Sequence, residues 1–114
     1  MISSSGGIKL TQSKYYKYAL SVKEKVLDKF VKGVLELCPT LVYEDPRRLA
    51  AVTSFAYNVG LNNLKVSTLR RKINRKEWEG ASLEFKKWNK AGGKVMRGLT
   101  RRRDAEAKLF RLEN

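Results

Sequence analysis

The sequence predicts an all-α fold, a compact bundle of about five helices with a long N-terminal helix. Three observations carry that expectation. Apolar residues recur at spacings of three and four along most of the chain, as on one face of a helix. Helix caps and stops punctuate those runs, with Asp45-Pro46 opening one and Gly60 closing it. No segment alternates convincingly with the two-residue period of a strand. The 114 residues allow one domain with a modest core and are too few for two independent ones.

Residues 1–9 are small and polar and read as a flexible leader. Thr11, or else Ser13, is placed to cap the first helix. Its apolar face runs Tyr15, Tyr18, Ala19, Val22, Val26, Phe30, Val34 and Leu37, and its other face is rich in lysine. Residues 10–38 therefore form one long amphipathic helix. Gly33 within it marks a break or a close contact, and Pro39 ends it near Leu37.

The remaining residues, 39–114, form the helical body. Asp45 caps the second helix and Pro46 takes its first position. That helix is apolar on most sides through Val59, which makes it the central buried one. Residues 61–66 read as a loop. Ser67 or Thr68 caps a short helix containing Leu69 and Ile73. A further helix spaces Trp78, Ala81, Phe85 and Trp88 by three or four. Gly92, Gly93 and Gly98 then turn the chain into a last helix over 99–112, opened by Arg101, Arg102 and Arg103, with Ala105, Leu109 and Leu112 as its apolar strip.

Composition narrows the function. A net charge of +14 points to a polyanionic partner: nucleic acid, an anionic membrane surface or a bacterial envelope. Lysines beside the apolar face of the first helix suit a membrane surface. No helix–turn–helix spacing or aromatic RNA motif supports nucleic acid, which is the least favoured partner. There is no histidine, which excludes histidine acid–base catalysis and histidine-based metal sites, and no metal or cofactor is expected. The single cysteine, Cys38, cannot form an internal disulfide and sits in an apolar run as a small core residue. No run of about 18 apolar residues suggests a membrane span, and the first residues lack the apolar centre of a signal peptide.

Four blocks carry a family resemblance. They are Ser54-Phe55-Ala56-Tyr57-Asn58-Val59-Gly60 at the end of an apolar helix, Ser67-Thr68-Leu69, Trp88-Asn89-Lys90-Ala91-Gly92-Gly93, and Gly98-Leu99-Thr100-Arg101-Arg102-Arg103. In this order and spacing the chain resembles the helical lobe of phage-type lysozymes, the endolysins of glycoside hydrolase family 24. The resemblance implies action on bacterial peptidoglycan at the N-acetylmuramic acid–N-acetylglucosamine linkage. It also implies a saccharide cleft flanked by Asn58, Trp88, Asn89, Gly92 and Gly93, with Arg101, Arg102 and Arg103 near glycan carboxylates or stem peptides. The residues themselves allow a plainer reading. Asn58 also suits a helix end, and the helical spacing of Trp88 suits the core.

In that family the acid is a glutamate on an N-terminal helix, followed nine residues later by aspartate or cysteine and six further by threonine. The resemblance begins at the helix after that lobe, with Ile8 to Thr11 at its start. Of the glutamates here, Glu36 has Asp45 nine residues on, but Ala51 stands where threonine belongs. Glu36 lies near a helix end and Asp45 is a helix cap, so this pair is not expected to be catalytic. The other acids are expected in ion pairs on helix surfaces. The chain is therefore expected to bind wall and to be catalytically incomplete, and three origins fit: a truncated gene, a split gene whose second chain supplies the acidic lobe, or a degenerate relative kept for binding. Exposed apolar residues over 11–37 would favour self-association. The expected location is the cytoplasm of an infected or lysogenic bacterium, with action at the wall after release.

Overall fold

A helix buried on nearly every side, Pro46–Val59, runs through the middle of the computed structural model, which describes residues 24–113 and side chains from residue 27 onward. In chain order the elements are α1 (Glu24–Leu37), a 3₁₀ turn (Pro39–Tyr43), α2 (Pro46–Val59), α3 (Leu61–Val66), α4 (Thr68–Asn74), α5 (Trp78–Phe85), β1 (Lys90–Ala91), β2 (Lys94–Val95) and α6 (Arg97–Phe110). The leader over 1–9, the cap at Thr11 and the apolar face from Tyr15 to Val22 lie outside the described residues. So does most of the surface invoked for self-association.

Local chemistry explains where α2 begins. The Asp45 carboxylate accepts a hydrogen bond from the Arg47 backbone N–H at 2.9 Å, and Pro46 needs no donor partner in the first turn. The Arg47 guanidinium grips both Asp45 oxygens at 3.0 and 2.9 Å. Every residue from Ala50 to Ala56 is buried, so no face of this stretch is left to water. The α1 helix covers one side with Val34 and with Phe30, whose ring meets Tyr57 edge-on at 5.5 Å. The α6 helix covers another, and Phe55, Phe85, Trp88, Phe110 and Trp78 form a chain of aromatic contacts between α2, α5 and α6. At the base, Arg48 donates to the Phe110 carbonyl at 3.1 Å and lies 4.5 Å over Trp78.

Two segments differ from the sequence expectation. Residues 61–66 form a short helix, not a loop. Leu64 drops into the core and Leu61 packs on Gly33, where an added Cβ would sit 2.6 Å from Leu61 Cδ1. Gly33 is thus a close contact between α1 and α3. The weak helix formers Asn62 and Asn63 masked this helix. Second, residues 90–95 form a small antiparallel hairpin, with Lys90 opposite Val95 and Ala91 opposite Lys94. Strands of two residues are too short for alternation to reveal. Gly92 and Gly93 supply the two left-handed residues, φ 58° and 82°, that a tight two-residue turn requires.

Other boundaries shift. Ser67, not Thr68, caps α4 by accepting from the Arg70 N–H at 3.0 Å. The α5 helix stops at Phe85, so Trp88 packs on Phe55 from beyond its end. The last helix starts at Arg97 and ends at Phe110, two residues earlier at each end than expected. Of the predicted strip Leu109 is buried while Ala105 and Leu112 are half-buried, and Arg103, Glu106, Ala107 and Phe110 complete the buried face. Glu84, expected on a surface, is buried and held by Lys72 and Lys87 at 3.2 and 2.9 Å. Cys38 is buried, and loss of hydration pushes its thiol up to about 12 against the opposing field of Arg70. No helix among the described residues is long and apolar enough to cross a membrane.

The hydrogen bond from the Arg47 side chain, foremost, holds the Asp45 carboxyl below its ordinary value. A carboxylate lowered in this way stabilises the fold above the unfolded pKa of about 3.9, and the gain is lost as pH falls through the folded value. Asp45→Ala is expected to cost about 1 kcal/mol at neutral pH in urea titrations, the usual worth of such a cap. The gap between wild type and variant should narrow as pH falls through the folded value, because both then lack the charge.

Candidate functional site

The polar chemistry of the interior is concentrated where the C-terminal half of α2 meets the first half of α6. Arg103 and Glu106, one turn apart on α6, both have fully buried side chains. The Nε of Arg103 lies 2.9 Å from Glu106 Oε1, an ion pair whose geometry is off the hydrogen-bond axis. Glu106 Oε2 accepts from Ser54 Oγ at 2.6 Å and from Arg102 Nε at 3.3 Å. Arg102 also donates to the Ser54 carbonyl at 3.2 Å. Arg103 Nη2 donates outward to Asn58 Oδ1 at 2.9 Å, while its Cζ lies 5.1 Å from the centre of the Phe55 ring. The Nη1 of Arg103 is buried with no hydrogen-bond partner.

Removing these charges from water has opposite effects on the two partners. Burial pushes the Glu106 carboxyl up, against the pull of Arg103, Ser54 and Arg102. Burial pushes the Arg103 guanidinium down, with Glu106 opposing and Arg102 adding to the shift. The two arginines face one carboxylate, so the cluster carries an excess of positive charge.

The structure brings several sequence-predicted residues together and separates others. Asn58 is exposed at the end of α2 and joined to Arg103. Trp88 is half-buried and meets Phe55 edge-on at 5.5 Å, so one ring links Trp88 to Arg103. Asn89 donates to Thr100 Oγ1 at 3.2 Å and accepts from the Met96 N–H at 2.9 Å, which ties the hairpin to α6. Gly92 and Gly93 form the exposed hairpin turn. Arg101 is exposed, Arg102 half-buried and Arg103 enclosed, with Arg103 bonded to the exposed Asn58.

Glu36 and Asp45 serve different elements. Glu36 lines a groove between α1 and α3 with Gly33, Leu37, Leu61, Asn62 and Lys65, whereas Asp45 caps α2. Among the described residues, no cluster of cysteine, aspartate and glutamate is arranged to hold a metal ion. Sequence reasoning misses Ser54, Phe55 and Glu106 as site residues and places Glu106 on a helix surface. The signal for them is Glu106 three residues after Arg103, with Ser54 on an otherwise apolar helix.

The sequence that builds this body matches one known class of proteins. Residues 4–106 match the model of the phage lysozyme family. The chain is 46% identical over 84 residues to an endolysin of Bacillus phage B103, covering 74% of this chain and 31% of that protein. It is 42% identical over 81 residues to an endolysin of Bacillus phage PZA, covering 71% of this chain and 31% of that protein. A SAR-endolysin of bacteriophage PS119 is 48% identical over 56 residues, covering 49% of this chain and 34% of the relative. The chain belongs to the phage lysozyme family, and it spans about a third of the length of these curated relatives.

Breaking a buried ion pair on one side leaves the other charge stranded. Glu106→Ala is therefore expected to cost about 3–5 kcal/mol in urea unfolding. The double change Arg103→Met with Glu106→Leu strands no charge and should recover most of that loss.

Proposed function

We propose that this chain is an endolysin lobe that binds bacterial peptidoglycan and serves cleavage of its N-acetylmuramic acid–N-acetylglucosamine linkages. The observation that carries the reading is the family match over residues 4–106, which spans all four blocks of the resemblance. Three of those blocks meet around one site: the end of α2, Trp88 with the hairpin, and the start of α6. The surface beside it suits an anionic glycan. Lys90, Lys94, Arg97 and Arg101 are exposed there, and lactyl and peptide carboxylates of the wall carry the opposite charge. Exposed charges of this kind act at a distance that salt shortens.

Glycoside hydrolysis ordinarily needs two carboxyl groups on either side of the scissile bond, one of them able to donate a proton. All eleven acidic residues of this sequence fall at or after Glu24. Glu44, Asp45, Glu77, Glu84 and Glu106 are each engaged by a cation, which suits structural roles. The role proposed for the chain is to bind and orient the glycan, with the proton donor supplied by another lobe or chain.

Sedimentation with purified insoluble peptidoglycan and release of reducing ends test the two halves separately. The expected result is binding that weakens as salt rises, without release of reducing ends. Release that disappears in Glu36→Gln would contradict the division of labour and place the acid on this chain. Absence of binding would contradict the functional reading itself.

A further inference from the structure

We propose that Arg103 is a positioning residue that fixes the Asn58 amide with its NH₂ outward, so that Asn58 reads the N-acetyl carbonyl oxygen of a glycan sugar. This inference rests on the peptidoglycan-binding reading and adds the chemical sense of the recognition. An asparagine side chain has an acceptor end and a donor end, and on an exposed helix terminus either can face solvent. Here the choice is forced. A guanidinium has five donors and no acceptor, so the Asn58 atom 2.9 Å from Arg103 Nη2 must be the oxygen. Arg103 is fully buried and Asn58 is exposed, so the oxygen side of the amide faces the interior.

The guanidinium is not free to follow a turning amide. Its Nε is paired with Glu106, which Ser54 and Arg102 hold in turn, and Phe55 lies against its face. Nδ2 of Asn58 has no hydrogen-bond partner among the described residues, and its two protons remain for a ligand. Two outward N–H groups suit an acceptor oxygen and repel a donor. An N-acetyl carbonyl supplies that acceptor. The ammonium of a de-N-acetylated sugar supplies only donors and a like charge beside Arg101 and Arg102.

The test compares native peptidoglycan with chemically N-deacetylated peptidoglycan in the sedimentation assay. It uses the wild-type chain, Asn58→Asp and the double variant Arg103→Met with Glu106→Leu. Asn58→Asp keeps an oxygen for Arg103 and removes only the outward donors. Its melting temperature should equal or exceed that of wild type, while its binding to native peptidoglycan falls about tenfold, the worth of a good hydrogen bond. Wild type should prefer native over deacetylated peptidoglycan, and Asn58→Asp should lose or invert that preference. The double variant should lose the preference too, because its amide is free to turn.

Retention of the wild-type preference by Asn58→Asp would overturn the inference, since the discrimination would then come from bulk charge. Retention by a folded double variant would overturn the positioning role of Arg103. Binding of native peptidoglycan by wild type separates these failures from failure of the underlying reading, in which wild type binds neither polymer.

Discussion

The constraint on which the rest of the molecule depends is a pair of opposite charges with no access to water. Arg103 and Glu106 are both fully enclosed between α2 and α6. Burying either alone is far more costly than a small domain can sustain, and even a pair needs hydrogen bonds to offset its lost hydration. Here they are made at Glu106 Oε2 and Arg103 Nη2, while Arg103 Nη1 stays without a partner. That requirement dictates the surroundings. Ser54 must present a hydroxyl to Glu106, Arg102 must fold back along α6, and Asn58 must offer an oxygen to Arg103. Hydrophobic burial alone would tolerate sliding or rotation of α6 against α2. The hydrogen-bonded network does not, so it fixes the register of two helices that carry the site.

Around that centre, separate devices hold the exposed parts. Asp45 and Arg47 define the start of α2, and Arg48 ties it to the end of α6 through the Phe110 carbonyl and the face of Trp78. At the other end Asn89 fastens the hairpin to Thr100 and Met96 of the α6 region. Trp88 is held against Phe55, whose other contacts include Phe85 and Arg103. Basic residues that face solvent are thereby mounted on short, pinned elements. Side chains mounted on pinned elements have little backbone freedom left to lose.

Much of this architecture was legible in the sequence because it rests on local rules. Asp45-Pro46 and Ser67 announce helix starts by chemistry confined to four residues, and the apolar run through α2 announces its own burial. The blocks from Ser54 to Gly60, from Trp88 to Gly93 and from Gly98 to Arg103 were visible as a family resemblance, and they meet in the fold. Other features were hidden for physical reasons. Helix α3 contains two asparagines and owes its existence to Leu64 reaching the core and Leu61 reaching Gly33. The hairpin is shorter than its own period. Arg103 and Glu106 belong to residue types that nearly always face water, and one turn of separation reads as a surface ion pair. Only the facing helix reveals that they are inside, and with that comes the difference between Arg101, which is exposed, and Arg103, which is enclosed and bonded to Asn58.

Hydrogen exchange at the Arg103 side chain, followed by ¹⁵N NMR, tests the central claim most directly. An enclosed guanidinium paired with Glu106 should give a resolved Nε–H resonance that exchanges far more slowly than that of Arg101 and loses its protection in Glu106→Gln. An Arg103 Nε–H that exchanges as fast as that of Arg101 in the wild-type chain would contradict the account, because the charge around which α2 and α6 are arranged would then be open to water.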